Sequence, residues 1–310
     1  MPRRDPSSFR SQVTCPADFD AFWQRLLAAT ARVPLEPQLE PSTLRSTPAV
    51  EVFEAHYQSL DGVRIFAWYH RPRGAKGPLP ALLYVPGYIS DPTIQKGWAA
   101  KGYAVLSVAP RGKIRSHLQF NPGYPGLLTH NIVDRNTYGY RGFYADAMRG
   151  VDFLLARPEV DRNRLGVLGS SQGGGLTLVT AALRPEIRAA SAGAPYLCGF
   201  MDAIELTHTY PYQEINDYLR LHPDRGEAVR ETLAYFDGIN FAPRVRCPVI
   251  VNLGLQDNVC PPETGYALFG ALGSADKRLY TYDACGHDAG KKEHEAVIEA
   301  FFERHLTPGK

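Results

Sequence analysis

The sequence predicts an α/β fold with a mainly parallel, twisted sheet and helices on both of its faces. From residue 81 onward, short apolar runs alternate with segments of helical spacing, which is typical of parallel strands joined by helices. Before them, strand-like runs at 50–57 and 63–70 flank Leu60, Asp61 and Gly62. Asp-Gly between two such runs indicates an N-terminal antiparallel hairpin.

Residues 1–48 are predicted to form an N-terminal helix and an extended segment. Phe19, Phe22 and Trp23 share one helical face, and four prolines between 34 and 48 favour an extended chain. After the hairpin, strands are predicted at 81–85, 103–108, 165–168, 189–194, 248–253 and 278–282, and helices at 94–101, 143–157, 176–183, 263–272 and 293–305. We interpret residues 1–310 as a single domain.

Residues 196–237 interrupt this alternation. The segment is mostly helical in pattern and rich in tyrosine and histidine, so we interpret it as a helical insertion over the carboxyl edge of the sheet, either a cap or a subunit contact. Its aromatic side chains are expected to be exposed at an interface or a pocket wall: Phe200, Tyr210, Tyr212, Tyr218, Tyr235 and Phe236.

Charge and composition exclude several classes of partner. The net charge is +2 and no long basic run occurs, which argues against nucleic acid and anionic membranes. The longest apolar runs have the length of strands, so no transmembrane helix is expected. No apolar segment follows the first arginines, so we expect no signal peptide. The five cysteines contain no C-x-x-C pair, which predicts free thiols in the cytoplasm.

The most informative stretch lies around Ser171. Gly169, Ser171 and Gly173 match G-x-S-x-G, the nucleophile elbow of the α/β-hydrolase fold. An apolar run precedes the motif and helical spacing follows it, which is the strand, turn and helix that the motif requires. The glycines leave room for a serine at the tip of a crowded turn, and the helix start supplies N–H donors. A glycine-rich turn with an incidental serine is the structural alternative.

A serine hydroxyl needs a base, and the base needs an acid that orients it. In α/β-hydrolases these residues follow the serine in the order acid, then histidine, at the ends of strands. Asp257 and His287 meet both conditions and are the predicted acid and base. Rival residues fit the order or the position less well: His130, His208 and His222 for the base, and Asp237, Asp283 and Asp288 for the acid.

The oxyanion of an acyl-transfer reaction needs hydrogen-bond donors. We predict the backbone N–H groups of Gln172, directly after the nucleophile, and of Tyr88, in the loop after an earlier strand. Simple aromatic packing is the alternative for Tyr88. Tyr88, Tyr196 and Tyr210 are predicted to bind substrate. No metal-ligand spacing and no nucleotide-binding glycine motif occur in the sequence, so no metal and no cofactor are expected.

Many short motifs along the chain resemble the acetyl xylan esterase and cephalosporin C deacetylase group, carbohydrate esterase family 7. The matching stretches, in order, are Asp18-Phe-Asp-Ala-Phe-Trp23, Pro86-Gly-Tyr88, Arg111-Gly112, Tyr140-Arg141, Asp146-Ala147, Gly169-Ser-Ser-Gln-Gly-Gly-Gly175, Pro211-Tyr-Gln-Glu214, Glu231-Thr-Leu-Ala-Tyr-Phe-Asp237, Gly254-Leu-Gln-Asp257, Cys260-Pro-Pro262 and Gly286-His287. The resemblance spans most of the chain.

The resemblance implies that the protein removes acetyl groups from small oxygen esters such as acetylated xylo-oligosaccharides and cephalosporin C. It also implies the same triad and oxyanion donors, and a cytoplasmic, ring-like homo-hexamer. One motif departs from the family: Ala109-Pro-Arg-Gly-Lys-Ile114 stands where members usually carry Asp-x-Arg-Gly-Gln-Gly. A serine hydrolase of other esters or of peptides, and a non-catalytic binding protein, are the alternative functions.

Overall fold

The computed structural model describes residues 5–307 and contains one sheet of nine strands in the order β1-β2-β3-β5-β4-β6-β7-β8-β9. The strands are β1 Gln38–Pro41, β2 Val50–Gln58, β3 Arg64–Pro72, β4 Leu79–Val85, β5 Ala104–Ala109, β6 Val160–Ser170, β7 Ile187–Gly193, β8 Val249–Gly254 and β9 Lys277–Tyr282. The pairs β1–β2, β2–β3 and β3–β5 are antiparallel. The remaining pairs, β5–β4, β4–β6, β6–β7, β7–β8 and β8–β9, are parallel.

Helices cover both faces of this sheet. They are α1 Phe19–Ala31, α2 Lys96–Ala100, α3 Gly139–Leu155, α4 Gln172–Leu183, α5 Phe200–Leu206, α6 Gln213–Leu221, α7 Gly226–Ala234, α8 Gly238–Phe241, α9 Pro262–Ala271 and α10 Lys291–Leu306. Leu83 of β4 lies in the large core that includes α3 and α4, whereas Leu82 packs with Phe302 of α10 on the opposite face. This alternation follows from the period of two residues along a strand. The predicted α/β fold is confirmed.

The extended segment after α1 contains a strand that the sequence did not predict. Leu39 and Glu40 of β1 pair with Ala55 and Glu54 of β2, and so extend the antiparallel end of the sheet. The prolines before and inside this segment concealed the strand, because proline is unfavourable inside a sheet but is tolerated at its edge. The single domain was predicted over residues 1–310, and its ends, residues 1–4 and 308–310, lie outside the described residues.

The aromatic residues of the insertion are mostly buried, which corrects the expectation that they are exposed. Phe200, Tyr212 and Phe236 are inaccessible to solvent, and Tyr235 is nearly so. They pack inside the chain: the ring of Phe236 lies 5.5 Å from that of Trp23 on α1. Burial inside the chain removes these residues as evidence for a subunit interface, and Tyr210 is the exposed large aromatic residue among them.

No helix within residues 5–307 combines the length and the apolar character needed to span a lipid bilayer. All five cysteines are free thiols in the structure.

Candidate active site

Ser171 stands at the sharp turn between β6 and α4. Its backbone has φ 60° and ψ −124°, a conformation that non-glycine residues rarely adopt. A Cβ atom on Gly169 would lie 2.5 Å from the carbonyl oxygen of Val85, and one on Gly173 would meet the same oxygen. The two motif glycines therefore let the turn pass close beside the neighbouring strand β4, as the elbow requires.

The predicted acid and base form a direct hydrogen-bonded pair. His287 Nδ1 lies 2.8 Å from Asp257 Oδ2, and the Asp257 side chain is 2% exposed. The other carboxylate oxygen, Oδ1, accepts hydrogen bonds from the backbone N–H groups of Val259 and Cys260 at 2.8 and 2.9 Å. These contacts fix the carboxylate in one orientation, with one oxygen held by the loop and the other facing the imidazole.

Strand ends explain how residues distant in sequence come together. Tyr88 follows β4, Ser171 follows β6, Asp257 follows β8 and His287 follows β9. These strands are parallel, so their carboxyl ends lie along one edge of the sheet. Ser171 and His287 line the same cleft, whose volume is about 640 Å³.

The rival residues lie elsewhere among the described residues. Asp237 is buried and caps α8 by accepting from the Ile239 N–H at 3.0 Å, Asp288 accepts from the Gly286 N–H at 3.0 Å, and Asp283 is exposed. The His130 ring packs on Phe120, His208 is exposed, and His222 packs on Tyr218. None of these side chains lines the cleft around Ser171 in the part of the chain that the structure describes.

The thiol of Cys260 is a neighbour of the site that sequence reasoning did not assign to it. Burial raises the pKa of this thiol well above its ordinary value, although a hydrogen bond with the Ser171 side chain acts in the opposite direction. Ligand atoms of Asp257, Cys260 and His287 lie within 4.8 Å of one another, so these three side chains could hold a metal ion. Sequence spacing does not reveal this cluster, because its members come from two separate loops.

The two residues predicted to donate to the oxyanion also lie in this region. Gln172 is the first residue of α4, where backbone N–H groups have no acceptor within the helix. Its buried side chain accepts a hydrogen bond from the Tyr140 hydroxyl at 2.6 Å and donates to the Gly87 carbonyl oxygen at 3.4 Å. Gly87 and Tyr88 both line the cleft.

The three tyrosines predicted to bind substrate occupy different positions. Tyr88 and Tyr210 line the cleft, and Tyr210 is 51% exposed. Tyr196 is fully buried and is not among the residues that line the cleft, so its prediction needs correction. Its ring packs edge-to-face against that of Tyr88, with 6.1 Å between the ring centroids, and against that of Tyr212 at 4.5 Å, so neighbouring aromatic rings cover it.

Two acidic residues of the cleft were missed by sequence reasoning. Asp91 and Glu214 both line it. Glu214 accepts a hydrogen bond from the Tyr88 hydroxyl at 2.5 Å and another from the Gly126 N–H at 2.8 Å. Burial raises the pKa of Glu214, while these hydrogen bonds act to lower it. Glu214 thus joins the insertion to the loop that carries Tyr88.

The chain matches solved structures over nearly its full length. An acetyl xylan esterase from Paenibacillus sp. R4 is 33% identical with a TM-score of 0.91, and the match covers 99% of this chain and 100% of that one. Acetyl xylan esterase 1 from Thermoanaerobacterium sp. JW/SL YS485 is 29% identical with a TM-score of 0.88, and 98% of each chain is covered.

Acetyl esterase Axe7A of Xylanibacter ruminicola is 29% identical over 294 residues, which cover 89% of this chain and 64% of the relative's length. The chain therefore spans less than two thirds of that curated relative. The family model described as acetyl xylan esterase (AXE1) matches residues 1–305. A match over almost the whole chain confirms the resemblance seen in the motifs, and the protein belongs to the acetyl xylan esterase family.

Proposed function

We propose that the protein is a serine carboxylesterase that removes acetyl groups from small oxygen esters. The observation that carries the proposal is the hydrogen-bonded pair of Asp257 and His287 on the cleft that contains Ser171 at a nucleophile elbow. Membership of the acetyl xylan esterase family supports the same activity. The natural substrates would be acetylated oligosaccharides or acetylated antibiotics such as cephalosporin C.

The reaction follows from the roles of these three side chains. Ser171 Oγ attacks the ester carbonyl carbon while His287 Nε2 takes the hydroxyl proton, and Asp257 holds the imidazolium through its Nδ1–H. The tetrahedral oxyanion accepts hydrogen bonds from the N–H groups of Tyr88 and Gln172. His287 then gives its proton to the departing alcohol, which leaves an acetyl-enzyme. Water repeats the sequence and releases acetate.

The volume of the cleft limits the size of the substrate. A volume of about 640 Å³ is typical of a pocket for a small molecule. Tyr210, Tyr124 and Ile89 stand at its exposed side and offer apolar surface to a sugar ring. Short acetylated oligomers should therefore react faster than polymeric xylan. A peptidase or an esterase for larger acyl groups with the same triad remains the second candidate.

A series of p-nitrophenyl esters of increasing acyl length tests the proposal. We expect acetyl esters to react much faster than octanoyl esters. Ser171→Ala should abolish turnover, and Ser170→Ala, the same chemical change one residue earlier, should retain most of it. Octanoyl preference would favour the second candidate. No hydrolysis of any ester, or more than a few per cent of activity in a clean Ser171→Ala preparation, would contradict the proposed function.

We also propose an assembly state and a cellular location. Family resemblance supports a homo-oligomer, with a hexamer as the expected state, and the free cysteines support a cytoplasmic location. Sedimentation velocity should show a species well above the 34.3 kDa of one chain. A monomer at micromolar concentration would contradict the oligomer and would leave the esterase proposal intact.

A further inference from the structure

We propose that Lys113 is a positioning residue of the reaction: its ammonium group holds and polarises the peptide group that joins Gly87 to Tyr88. This inference rests on the proposed function, because it assigns the Tyr88 N–H to the oxyanion. Lys113 lies in the turn after β5 and is 2% exposed. In the sequence, Lys113 stands where members of the family usually carry glutamine, and no role was predicted for it.

The contacts of Lys113 are directed at the loop after β4. Its Nζ donates a hydrogen bond to the Gly87 carbonyl oxygen at 2.7 Å and another to the Tyr88 carbonyl oxygen. The Gly87 oxygen also receives the Gln172 side-chain amide at 3.4 Å. An ammonium group is costly to bury, so the two carbonyl oxygens are the groups that compensate for its lost hydration.

The position of these bonds has a chemical consequence. The carbonyl of Gly87 and the N–H of Tyr88 belong to one planar peptide group. A cation bound at the oxygen draws electron density away from the nitrogen and makes the N–H a stronger donor, in the way that hydrogen bonds in a chain polarise one another. The ammonium therefore strengthens the donor that the developing oxyanion uses, and it holds that donor in place.

The charge of Lys113 is sensitive to pH within the working range of an esterase. Burial lowers its pKa to about 7, and the carboxylate of Asp91 acts in the opposite direction. The other titratable groups around it are phenols: the Tyr124 ring centroid lies 5.3 Å from Nζ, and Tyr88 carries the second carbonyl. Burial raises the pKa of both phenols above its ordinary value, so neither phenol loses a proton between pH 7 and 9. Burial also raises the pKa of the Glu214 carboxyl that is bound to Tyr88, and this group is the same in every Lys113 variant.

Loss of the Lys113 charge at alkaline pH should lower the kcat. Lys113 carries its charge below a pH of about 7 and loses it above that value. The neutral amine still has N–H groups but no longer has the charge that polarises the peptide. The kcat for acetyl esters should therefore decline on the alkaline side of pH 7, and a side chain without a titrating amine at position 113 should remove that decline.

The experiment compares Lys113→Met, Lys113→Gln and Lys113→Arg with the wild type. Lys277→Met is the matched control, since Lys277 Nζ also donates to backbone carbonyls, those of Phe269 and Leu272 at 3.0 and 2.9 Å, at the end of α9 away from the cleft. Steady-state rates with p-nitrophenyl acetate are measured from pH 5 to 9, with thermal unfolding of each variant. Inhibition by trifluoroacetone is measured alongside, because addition of Ser171 Oγ to its carbonyl carbon forms a tetrahedral oxyanion.

We expect Lys113→Met to lower kcat by about tenfold to a hundredfold, less than the ~10²–10³ for loss of an oxyanion donor outright, with KM within about twofold. Lys113→Gln should lie between it and the wild type, and Lys113→Arg should restore most of the rate. The alkaline decline should be absent in the Met and Gln variants. Trifluoroacetone should bind more weakly by the same factor as the loss of kcat/KM, because both depend on the oxyanion donors.

Several results would overturn the inference. An unchanged kcat in folded Lys113→Met, a loss confined to KM, or trifluoroacetone binding equal to that of the wild type would each show that Lys113 only supports the loop. If Lys113→Met fails to fold, the pH profile of Lys113→Gln decides: an alkaline decline like that of the wild type refutes the role. A wild type that does not hydrolyse acetyl esters would instead refute the proposed function.

Discussion

Replacing Asp257 by asparagine should disable the base without disturbing the loop that holds it. Asp257 Oδ1 accepts two backbone N–H groups, from Val259 and Cys260 at 2.8 and 2.9 Å. An asparagine must keep its carbonyl oxygen at that position, because an NH2 group there would face two donors. Its NH2 group then takes the place of Asp257 Oδ2, which lies 2.8 Å from His287 Nδ1, and faces that nitrogen.

The consequence is a change of tautomer. With a donor facing it, His287 Nδ1 must act as an acceptor, so the ring proton moves to Nε2 and that nitrogen cannot take the proton of Ser171. The expected loss in kcat is on the order of 10⁴, the magnitude seen where the acid of a triad is replaced by its amide. The KM and the free energy of unfolding should change little, because all hydrogen bonds to the loop are retained.

The assay is the steady-state hydrolysis of p-nitrophenyl acetate, with urea unfolding of the same preparations. Asp283→Asn is the matched control, since Asp283 is exposed and lies four residues before His287. It should retain nearly all of the activity. If Asp257→Asn kept a tenth of the wild-type kcat, or if Asp283→Asn lost as much as Asp257→Asn, the assignment of the acid and the tautomer argument would both be wrong.

Three further predictions concern packing, capping and specificity. Gly173→Ala should greatly reduce the yield of folded protein, since its Cβ would strike the carbonyl oxygen of Val85, and circular dichroism checks this. Asp237→Asn should destabilise the fold by about 1–3 kcal/mol in urea unfolding, because an NH2 group would face a backbone N–H that now donates to the carboxylate. Burial raises the pKa of Asp237 to about 6, above its unfolded value of 3.8. The contribution of this carboxyl to the free energy of unfolding therefore falls as pH rises from about 4 to 6, and Asp237→Asn should reduce this dependence on pH. Tyr210→Ala should raise KM for acetylated xylo-oligosaccharides and leave kcat for p-nitrophenyl acetate near the wild-type value, because Tyr210 is half exposed at the cleft.

The parts of the site that the sequence could predict are those encoded locally. The elbow glycines and the strand before Ser171 appear within one short stretch, and the acid and base each follow a strand in the expected order along the chain. The structure places Ser171, Asp257 and His287 at one edge of the sheet. Their catalytic roles stay predictions until the variants are measured. The family, by contrast, is confirmed by a match over residues 1–305.

The rest depends on contacts between distant parts of the chain. Glu214 and Tyr88 lie 126 positions apart, and no periodicity in the sequence connects them. The bonds of Lys113 to Gly87 and Tyr88 depend on where the turn after β5 meets the loop after β4. The insertion illustrates the same limit: its aromatic residues suggested an exposed surface, but Trp23 of the N-terminal helix covers Phe236. Composition reports which side chains a segment has, not what covers them.

The hydrogen bonds of Glu214 have a consequence for engineering. One carboxylate joins the insertion to the Tyr88 hydroxyl and to the Gly126 N–H, so three segments of the cleft share a single anchor. The insertion is therefore not an interchangeable module. Grafting the corresponding segment of another esterase to obtain a new substrate range would also release the loop beside the nucleophile. Selectivity and turnover would change together, and libraries that vary residues 196–237 should keep Glu214 constant if they are to separate the two.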